Sequence, residues 1–545
     1  MLQKHFSTLP GNSFITHIKF EARRMAMAFY KTVKTQFNNI KNSAPIKNVN
    51  KTICSPWGVG TLGLLTFLAF ALSLEAVFYT IVVVYTIFVG LFADDLSPIM
   101  PLFVLCYVTP SISNNPGLSN EGVFFGSTAI YLVCLVSVAV AVLLLRIALD
   151  KDFGLRRLFT TKRALLWGII ALGATYLLSG IAHERYSEIA TRNLLFSFIQ
   201  FASIFLLYFI LSTSVKWNQF NLDYFAWSGL VMGFVVSAEV LFLYLTNDVI
   251  VAGSINRGMI YTGWGCCNNV GAIISLSIPF AFYFASKKKH GSIFLCIACL
   301  LVGMVVLTTS RGSLVGALYA FIACFIFTNF RARNKKEFRI ASIVLLCVIA
   351  AAMLIFREFL AEKFAQVLSI AHMENGTLVI RDSNRFEIYR NGWEIFLRNP
   401  IFGQSFYPLE YDMFSFSQTE QFTSFFPPRW HNTVIQMLAS CGIVGMLAYS
   451  YHRVDTFRLY FKKRTLTNTY ILHFIITLLI MSLLDCHFFN VGPVLFYSIA
   501  LAVMEFGKEP VEEKEEKEIE KEVIEESVEE SIEEAVEEAV EKKES

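Results

Sequence analysis

One long polar segment carries most of the side chains in this sequence that could do chemistry. It runs from Arg357 to Asn432, roughly 75 residues between two apolar runs, and a connection of that length is usually functional. Guanidinium groups form paired hydrogen bonds with phosphate oxygens, which an ammonium group cannot do. The segment contains the single lysine Lys363 and six arginines, namely Arg357, Arg381, Arg385, Arg390, Arg398 and Arg429. This composition favours phosphate recognition, although a structural role for the arginines is equally well supported at this point.

A histidine lies near the end of the same segment, in Pro427-Pro428-Arg429-Trp430-His431-Asn432. Imidazole is the side chain that accepts a proton near neutral pH without a large shift of its pKa. A single histidine is more often structural than catalytic. His431 lies beside Arg429 and Asn432, directly before an apolar run, and this position favours a catalytic role more than a histidine alone would. The structural and the catalytic interpretation both stay open.

A further arginine lies at a predicted membrane boundary. Ser310-Arg311-Gly312 separates two apolar runs, and a cation at such a place needs a partner. That partner is either a lipid headgroup or the phosphates of a membrane-anchored substrate.

Aromatic residues crowd the second half of the polar segment, with ten between residues 402 and 430. They predict either a belt at the membrane interface or a platform that stacks on sugars. The belt suits the phenylalanines. The platform suits Tyr407, Tyr411 and Trp430, whose polar tips can also donate hydrogen bonds.

The elements that must position these residues are membrane helices. The 545 residues are 55% hydrophobic and only 16% charged, with a mean hydropathy of +0.53, which excludes an ordinary soluble protein. We predict an all-α polytopic membrane protein with about 14 transmembrane helices and one large extracytoplasmic loop containing short helices. The predicted spans are 57–74, 76–93, 97–113, 127–148, 164–182, 194–213, 225–245, 269–286, 292–309, 313–329, 340–356, 433–450, 467–485 and 488–506.

Lysines and arginines alternate in abundance between successive short loops, which predicts cytoplasmic termini and an outward-facing segment 357–432. The predicted organisation is a basic amphipathic leader (1–56), a transmembrane domain (57–506) and an acidic cytoplasmic tail (507–545). The leader is either an interfacial helix on anionic membrane lipids or a topology signal. The tail, with 18 Glu and 6 Lys from Lys508 onward, is either a helix for self-association or for a protein partner, or a solubilising extension.

No metal or cofactor site is predicted. The Cys296-x-x-Cys299 pair lies inside an apolar run, and Asp150-Lys151-Asp152 lies in a short cytoplasmic loop without room for a nucleotide-binding domain. The phosphate-binding sequence G-x-x-x-x-G-K-[ST] is absent, which disfavours direct use of ATP.

Residues 265 to 450 resemble the O-antigen ligase and polymerase family of membrane enzymes. The resemblance rests on the order and spacing of several short motifs: Asn268-Asn269-Val270-Gly271, Ser310-Arg311-Gly312, Arg385 with Pro400 and Gly403 following, His431-Asn432, and Gly442-x-x-Gly445. The chain departs from the family pattern at Ser405 and at Met446-Leu447, which blurs the distinction between ligase and polymerase.

The resemblance implies a GT-C-like glycosyltransferase of the prokaryotic cytoplasmic membrane. The donor would be an oligosaccharide on a polyprenyl diphosphate, and the acceptor would be a glycan or a lipid. The reaction would invert the anomeric configuration and would need no metal or cofactor. Polymerase is narrowly favoured over ligase. By the matching positions, His431 is the base, and Arg311 and Arg385 engage the donor diphosphate. The predicted substrate contacts are Arg390, Arg429, Tyr389, Trp430, Asn432, Tyr407 and Tyr411. Nucleic acid is not an expected partner.

The principal alternative is a transporter, either a flippase of lipid-linked glycans or a carrier of a small solute. A flippase needs charged or polar residues along a central cavity, whereas the candidate charges here concentrate in one loop and few, such as Glu239, fall within spans.

Overall fold

The computed structural model describes residues 38–105, 129–149, 159–217, 222–251, 254–262, 265–355, 371–374, 377–380, 385–407 and 429–508, with residues 24, 25, 28, 32, 35, 36 and 357. Most of the predicted leader helix, the acidic tail beyond residue 508, the second half of the predicted span 97–113 and Tyr411 lie outside the described residues.

The described residues are mostly helical, as the apolar runs predict. The helices are α1 (Ala44–Ile53), α2 (Pro56–Ala71), α3 (Glu75–Phe92), α4 (Met100–Leu105), α5 (Ala129–Leu149), α6 (Leu166–Leu177), α7 (Tyr186–Ser214), α8 (Leu222–Thr246), α9 (Cys267–Lys287), α10 (Gly291–Leu307), α11 (Arg311–Arg331), α12 (Lys335–Ile355), α13 (Arg385–Arg398), α14 (Thr433–Lys462), α15 (Leu466–Leu484) and α16 (Val491–Phe506). Short 3-10 turns occupy Ser97–Ile99, Arg257–Met259 and His487–Phe489.

Small antiparallel hairpins lie in the connections between helices. They pair β1 (Ile250–Val251) with β2 (Ser254–Ile255), β3 (Tyr261–Thr262) with β4 (Gly265–Cys266), and β5 (Ala371–Glu374) with β6 (Thr377–Ile380). The long predicted loop therefore contains a hairpin and the helix α13 among its described residues.

The chain is a membrane protein. Among the described residues, six helices are long and apolar enough to cross a bilayer, namely α7, α8, α9, α11, α14 and α15, and the bent pair α1–α2 makes a seventh if it forms one span. Helices α6 and α10 and parts of α3, α5 and α16 are apolar but shorter. The count of about 14 spans stays a prediction.

Helix α9 forms the centre of the bundle. Every residue from Val270 to Ser286 is buried, because the helix is apolar or small on all sides and packs against α8, α10, α11 and α15. The Ser275 hydroxyl donates to the carbonyl of Ser313 at 2.9 Å, which fixes α9 against α11 near the ends where the candidate residues lie.

Helix α14 is longer than the predicted span 433–450 and is broken at Gly442, where φ is 66° and ψ is −161°. The segment 400–405 fills the break. The Ile443 and Val444 amides donate to the carbonyls of Pro400 and Ile401 at 2.8 and 3.2 Å, and the Gln404 and Ser405 amides donate to those of Ala439 and Ser440 at 2.8 and 3.1 Å. The backbone N–H and C=O groups that lose their helical partners at the break therefore form hydrogen bonds with residues 400–405 instead.

The two glycines of this junction face each other. A Cβ atom on Gly442 would lie 2.3 Å from the carbonyl oxygen of Ile401, and one on Gly403, where φ is 67°, would lie 2.3 Å from the carbonyl carbon of Ser440. The close backbone approach therefore gives a physical reason for the Pro400-x-x-Gly403 and Gly442-x-x-Gly445 motifs.

We expect Gly442→Ala to destabilise the protein by about 2 kcal/mol or more, because it adds both a backbone clash and strain at positive φ. Thermal unfolding of the purified protein in detergent measures this as a lower Tm. Gly303→Ala is the matched control, because its Cβ would have no neighbour within 4 Å and alanine favours a helix. Equal Tm values for the two variants would contradict the proposed junction.

Candidate active site

His431 lies immediately before α14, in a backbone conformation that residues with a side chain rarely adopt (φ 50°). The next residue holds it there. The Asn432 side-chain oxygen caps α14 by accepting from the amides of Val434 and Ile435 at 2.8 and 3.2 Å, and its amide group donates to the Leu483 carbonyl at 2.9 Å. The start of α14 is therefore tied to the end of α15.

This tie brings His431 to a buried carboxylate. His431 Nδ1 lies 3.2 Å from Asp485 Oδ1, and the Asp485 side chain is only 10% exposed, against 37% for His431. The carboxylate also accepts the Cys486 amide at 2.7 Å and the side-chain amide of Asn268 at 3.3 Å. Asp485 thus has donors on both oxygens.

Asp485 is held as an anion. Burial opposes its ionisation, but the hydrogen bond from His431, the nearby imidazoles of His487 and His431 and the Cys486 amide outweigh that effect, and the pKa of Asp485 falls well below its usual range. Burial lowers the pKa of His487, which is also influenced by Asp485, Arg429, His431 and Arg385. Arg385 and Arg429 of the polar segment therefore lie within electrostatic reach of this turn.

The arrangement determines which nitrogen of His431 can accept a proton. An ionised carboxylate only accepts hydrogen bonds, so Nδ1 of a neutral His431 carries the hydrogen and Nε2 carries the lone pair. An imidazole oriented by a carboxylate in this way is a competent general base.

Arg311 is the first residue of α11 and is exposed at the same end of the bundle. The Ser310 side chain caps this helix at the Ser313 amide, and the Ser313 hydroxyl donates to the Asn268 carbonyl at 2.9 Å. A Cβ on Gly312 would lie 3.2 Å from Leu484 Cβ, which places the start of α11 against the residue that precedes Asp485.

Helix α13 brings Arg385 to this end. The helix packs on α14 through Gly392, where a Cβ would lie 2.5 Å from Ile435 and 2.9 Å from Trp430. One turn along from Arg385, the Tyr389 hydroxyl donates to the His431 carbonyl at 3.1 Å. The structure thus gathers His431, Arg311, Arg385, Tyr389 and Arg429 at one end.

Other predicted contact residues have different surroundings. Arg390 is exposed and lies 3.9 Å from the Glu394 carboxylate. Trp430 is 3% exposed and packs with Ile388, Ile395 and Ala439, and Tyr407 is 3% exposed and packs on Phe196. Burial favours packing roles for these two rings, and its capping hydrogen bonds favour a structural role for Asn432. The substrate contacts of all three stay predictions.

Sequence reasoning missed Asp485 and Arg257. Asp485 was assigned to the end of the span 467–485, although an acidic residue followed by Cys486-His487 between two apolar runs was a usable signal. Arg257 lies in the connection between α8 and α9, and its Nη2 is 3.2 Å from the Asn268 side-chain oxygen.

Residues 295–450 match the family described as O-antigen ligase. This part of the chain, less than a third of its length, is therefore similar to the O-antigen ligase family. The O-antigen ligase of Escherichia coli (strain K12) is 22% identical over 186 residues, which cover 33% of this chain and 44% of that protein, less than half of its length.

The matched residues include Arg311, Arg385, Arg429 and His431, whereas Asp485 and Asn268 lie outside them. The carboxylate that orients His431 is therefore supplied by a part of the chain that the match does not reach.

We expect Asp485→Asn to lower the Tm near neutral pH. The pKa of Asp485 is lower in the folded protein than the ~3.9 of an unfolded Asp, so its stabilising contribution is complete above that value and is lost as the pH falls towards the folded pKa. The difference in Tm between wild type and variant should narrow between about pH 5 and pH 3.

Thermal unfolding in detergent across this pH range measures the effect. The control is Asp94→Asn, which changes a carboxylate with an 80% exposed side chain and should have little effect on Tm. If the difference in Tm between wild type and Asp485→Asn stays constant down to pH 3, the fold does not hold Asp485 as an anion.

Proposed function

We propose that this protein is a membrane glycosyltransferase that moves oligosaccharide units from a polyprenyl-diphosphate carrier onto a glycan or lipid acceptor. The observation that carries the proposal is the His431–Asp485 pair, at 3.2 Å, at the end of the bundle where Arg311, Arg385 and Arg429 also lie. A base and several fixed cations at one site are what such a transfer requires.

His431 would act as the general base. Its Nε2 takes the proton of the acceptor hydroxyl while the hydroxyl oxygen forms a bond to the anomeric carbon. Asp485 stabilises the imidazolium that results, because its carboxylate is already ionised and in contact with Nδ1. Attack from the side opposite the leaving group inverts the anomeric configuration.

The arginines would act on the leaving group. As the bond from the anomeric carbon to the diphosphate oxygen breaks, the electron pair stays on the diphosphate, and guanidinium groups fixed at helix ends stabilise that charge. Arg311 and Arg385 begin α11 and α13, so both are held by helices rather than by loops. Arg429 and Tyr389 are secondary donor contacts.

The site would face the outside of a prokaryotic cytoplasmic membrane, with both termini in the cytoplasm. The distribution of lysine and arginine among the short loops supports this orientation. Polymerisation is narrowly favoured over ligation to a lipid acceptor, although the departures at Ser405 and at Met446-Leu447 blur the distinction between the two activities.

We expect His431→Ala and Arg311→Ala to leave the protein folded and inserted but to reduce transfer by at least about 100-fold, the usual effect of removing a general base or a stabiliser of the leaving group. The assay combines purified protein with a synthetic lipid-diphosphate oligosaccharide and sizes the products. A ladder indicates a polymerase, and single addition to a lipid acceptor indicates a ligase.

Arg185→Ala is the matched control. Arg185 is an exposed arginine that pairs with Glu188 at 2.7 Å just before α7, and its loss should not change transfer. Full transfer by either site variant would refute the mechanism, and movement of the intact lipid across vesicles without any transfer would favour the transporter.

We also expect transfer to persist in excess EDTA. In the proposed mechanism, arginine side chains supply the positive charge that a divalent cation supplies in many phosphate-cleaving enzymes. The rate measured after chelation and dialysis should stay within about twofold of the untreated rate. A loss that added Mg²⁺ or Mn²⁺ restores would show that the charge is supplied by a metal instead.

A further inference from the structure

Arg257 lies in the 3-10 turn between the hairpins β1–β2 and β3–β4, in the connection that leads from α8 into α9. The turn is held locally by the Asn256 side chain, which accepts from the Gly258 amide at 3.2 Å. The arginine is exposed, yet its Nη2 lies 3.2 Å from the side-chain oxygen of Asn268 and 3.5 Å from Cys267 Sγ. The side chain is thus directed towards the start of α9.

The contacts with Arg257 and Asp485 together determine how Asn268 is oriented. A side-chain amide has one accepting oxygen and one donating nitrogen, and the two ends are distinguished only by their partners. Arg257 can only donate, and an ionised Asp485 can only accept. Asn268 therefore directs its oxygen to Arg257 at 3.2 Å and its nitrogen to Asp485 Oδ2 at 3.3 Å.

The orientation of Asn268 in turn affects Asp485. With Oδ2 engaged by Asn268, the carboxylate presents Oδ1 to His431 Nδ1 at 3.2 Å. Three hydrogen bonds thus run in sequence from Arg257 to the imidazole, across segments that are 11, 217 and 54 residues apart in the chain. If Asn268 rotated, it would present its oxygen to the carboxylate and repel it.

We propose that Arg257 is a positioning residue for the reaction, which sets the orientation of Asn268 and through it the alignment of Asp485 with the base His431. The role rests on the proposed function, because it assigns His431 as the base. It also extends the site beyond the matched residues 295–450, to the connection before α9.

Several other groups influence the same carboxylate and imidazole. They come from the turn after α15, from the residues before α14, from α13 and from β4, and they are Cys486, His487, Arg429, Arg385 and Cys266. A change at Arg257 leaves all of them in place. It removes the Arg257–Asn268 link together with the 3.5 Å contact of Arg257 with Cys267 Sγ, so a change in the titration of His431 is assigned to the loss of Arg257.

The first measurement is the steady-state kinetics of Arg257→Met and Arg257→Lys. Methionine keeps much of the side-chain length but cannot donate a hydrogen bond. We expect kcat to fall roughly tenfold while KM stays within about twofold of the wild-type value, because the base is no longer aligned but the glycan donor still binds. Lysine can still donate to Asn268 and should restore most of kcat. A raised KM with unchanged kcat would show that Arg257 binds the donor directly and would overturn the proposal, as would unchanged kinetics.

The second measurement does not depend on activity. Carbethoxylation of neutral histidine, followed site by site with mass spectrometry, gives the pH at which half of His431 is protonated. Arg257→Met should raise this midpoint by roughly half a pH unit, because Asp485 loses an ordered donor and the site loses a cation. Arg257→Lys should lie close to wild type.

Arg185→Met is the control in both measurements, since Arg185 pairs with Glu188 instead. If the pH at which half of His431 is protonated is unchanged in Arg257→Met, Arg257 does not act on His431 through Asn268 and Asp485, and the proposal is wrong even if kcat falls. If the wild-type protein transfers no glycan, the proposed function fails, but the shift of the His431 midpoint still tests whether Arg257 acts on the His431–Asp485 pair.

Discussion

The hydrogen bond between His431 and Asp485 is the interaction on which the rest of the site depends. A carboxylate buried at this depth would ordinarily take up a proton, but donors on both oxygens and nearby imidazoles keep it ionised. The charge in turn fixes the tautomer of His431. Asp485 therefore depends in part on His431 for its ionisation, and His431 depends on Asp485 for its tautomer.

Two rigid connections keep the pair aligned. Asn432 joins the start of α14 to the last turn of α15 at Leu483, and Gly312 lets the start of α11 approach Leu484. Beyond the pair, the buried guanidinium of Arg453 lies 4.2 Å from the centre of the Phe488 ring, against the turn that follows Asp485. Residues at the ends of packed helices are positioned more precisely than residues in loops.

The break in α14 connects this site to the segment that precedes it. Because Gly442 interrupts the helix, four backbone hydrogen bonds join the flanking turns to residues 400–405, which follow α13 directly. Helix α13 is thereby anchored at its end by this junction and along its length by Tyr389 and Gly392. The position of Arg385 depends on both anchors.

The sequence by itself determined the helices and the residues of the main motifs. A long apolar run predicts a helix, since every backbone group in a membrane needs a hydrogen-bond partner within the protein. The chemistry expected of Arg311, Arg385 and His431 follows from their residue types. Only the tertiary structure decided that Arg257, Asn268, Asp485 and His431 contact one another in sequence, because pairing across up to 217 residues leaves no local pattern. It also buried Trp430 and Tyr407, since packing a large ring between helices removes more apolar surface from solvent than leaving it at the rim.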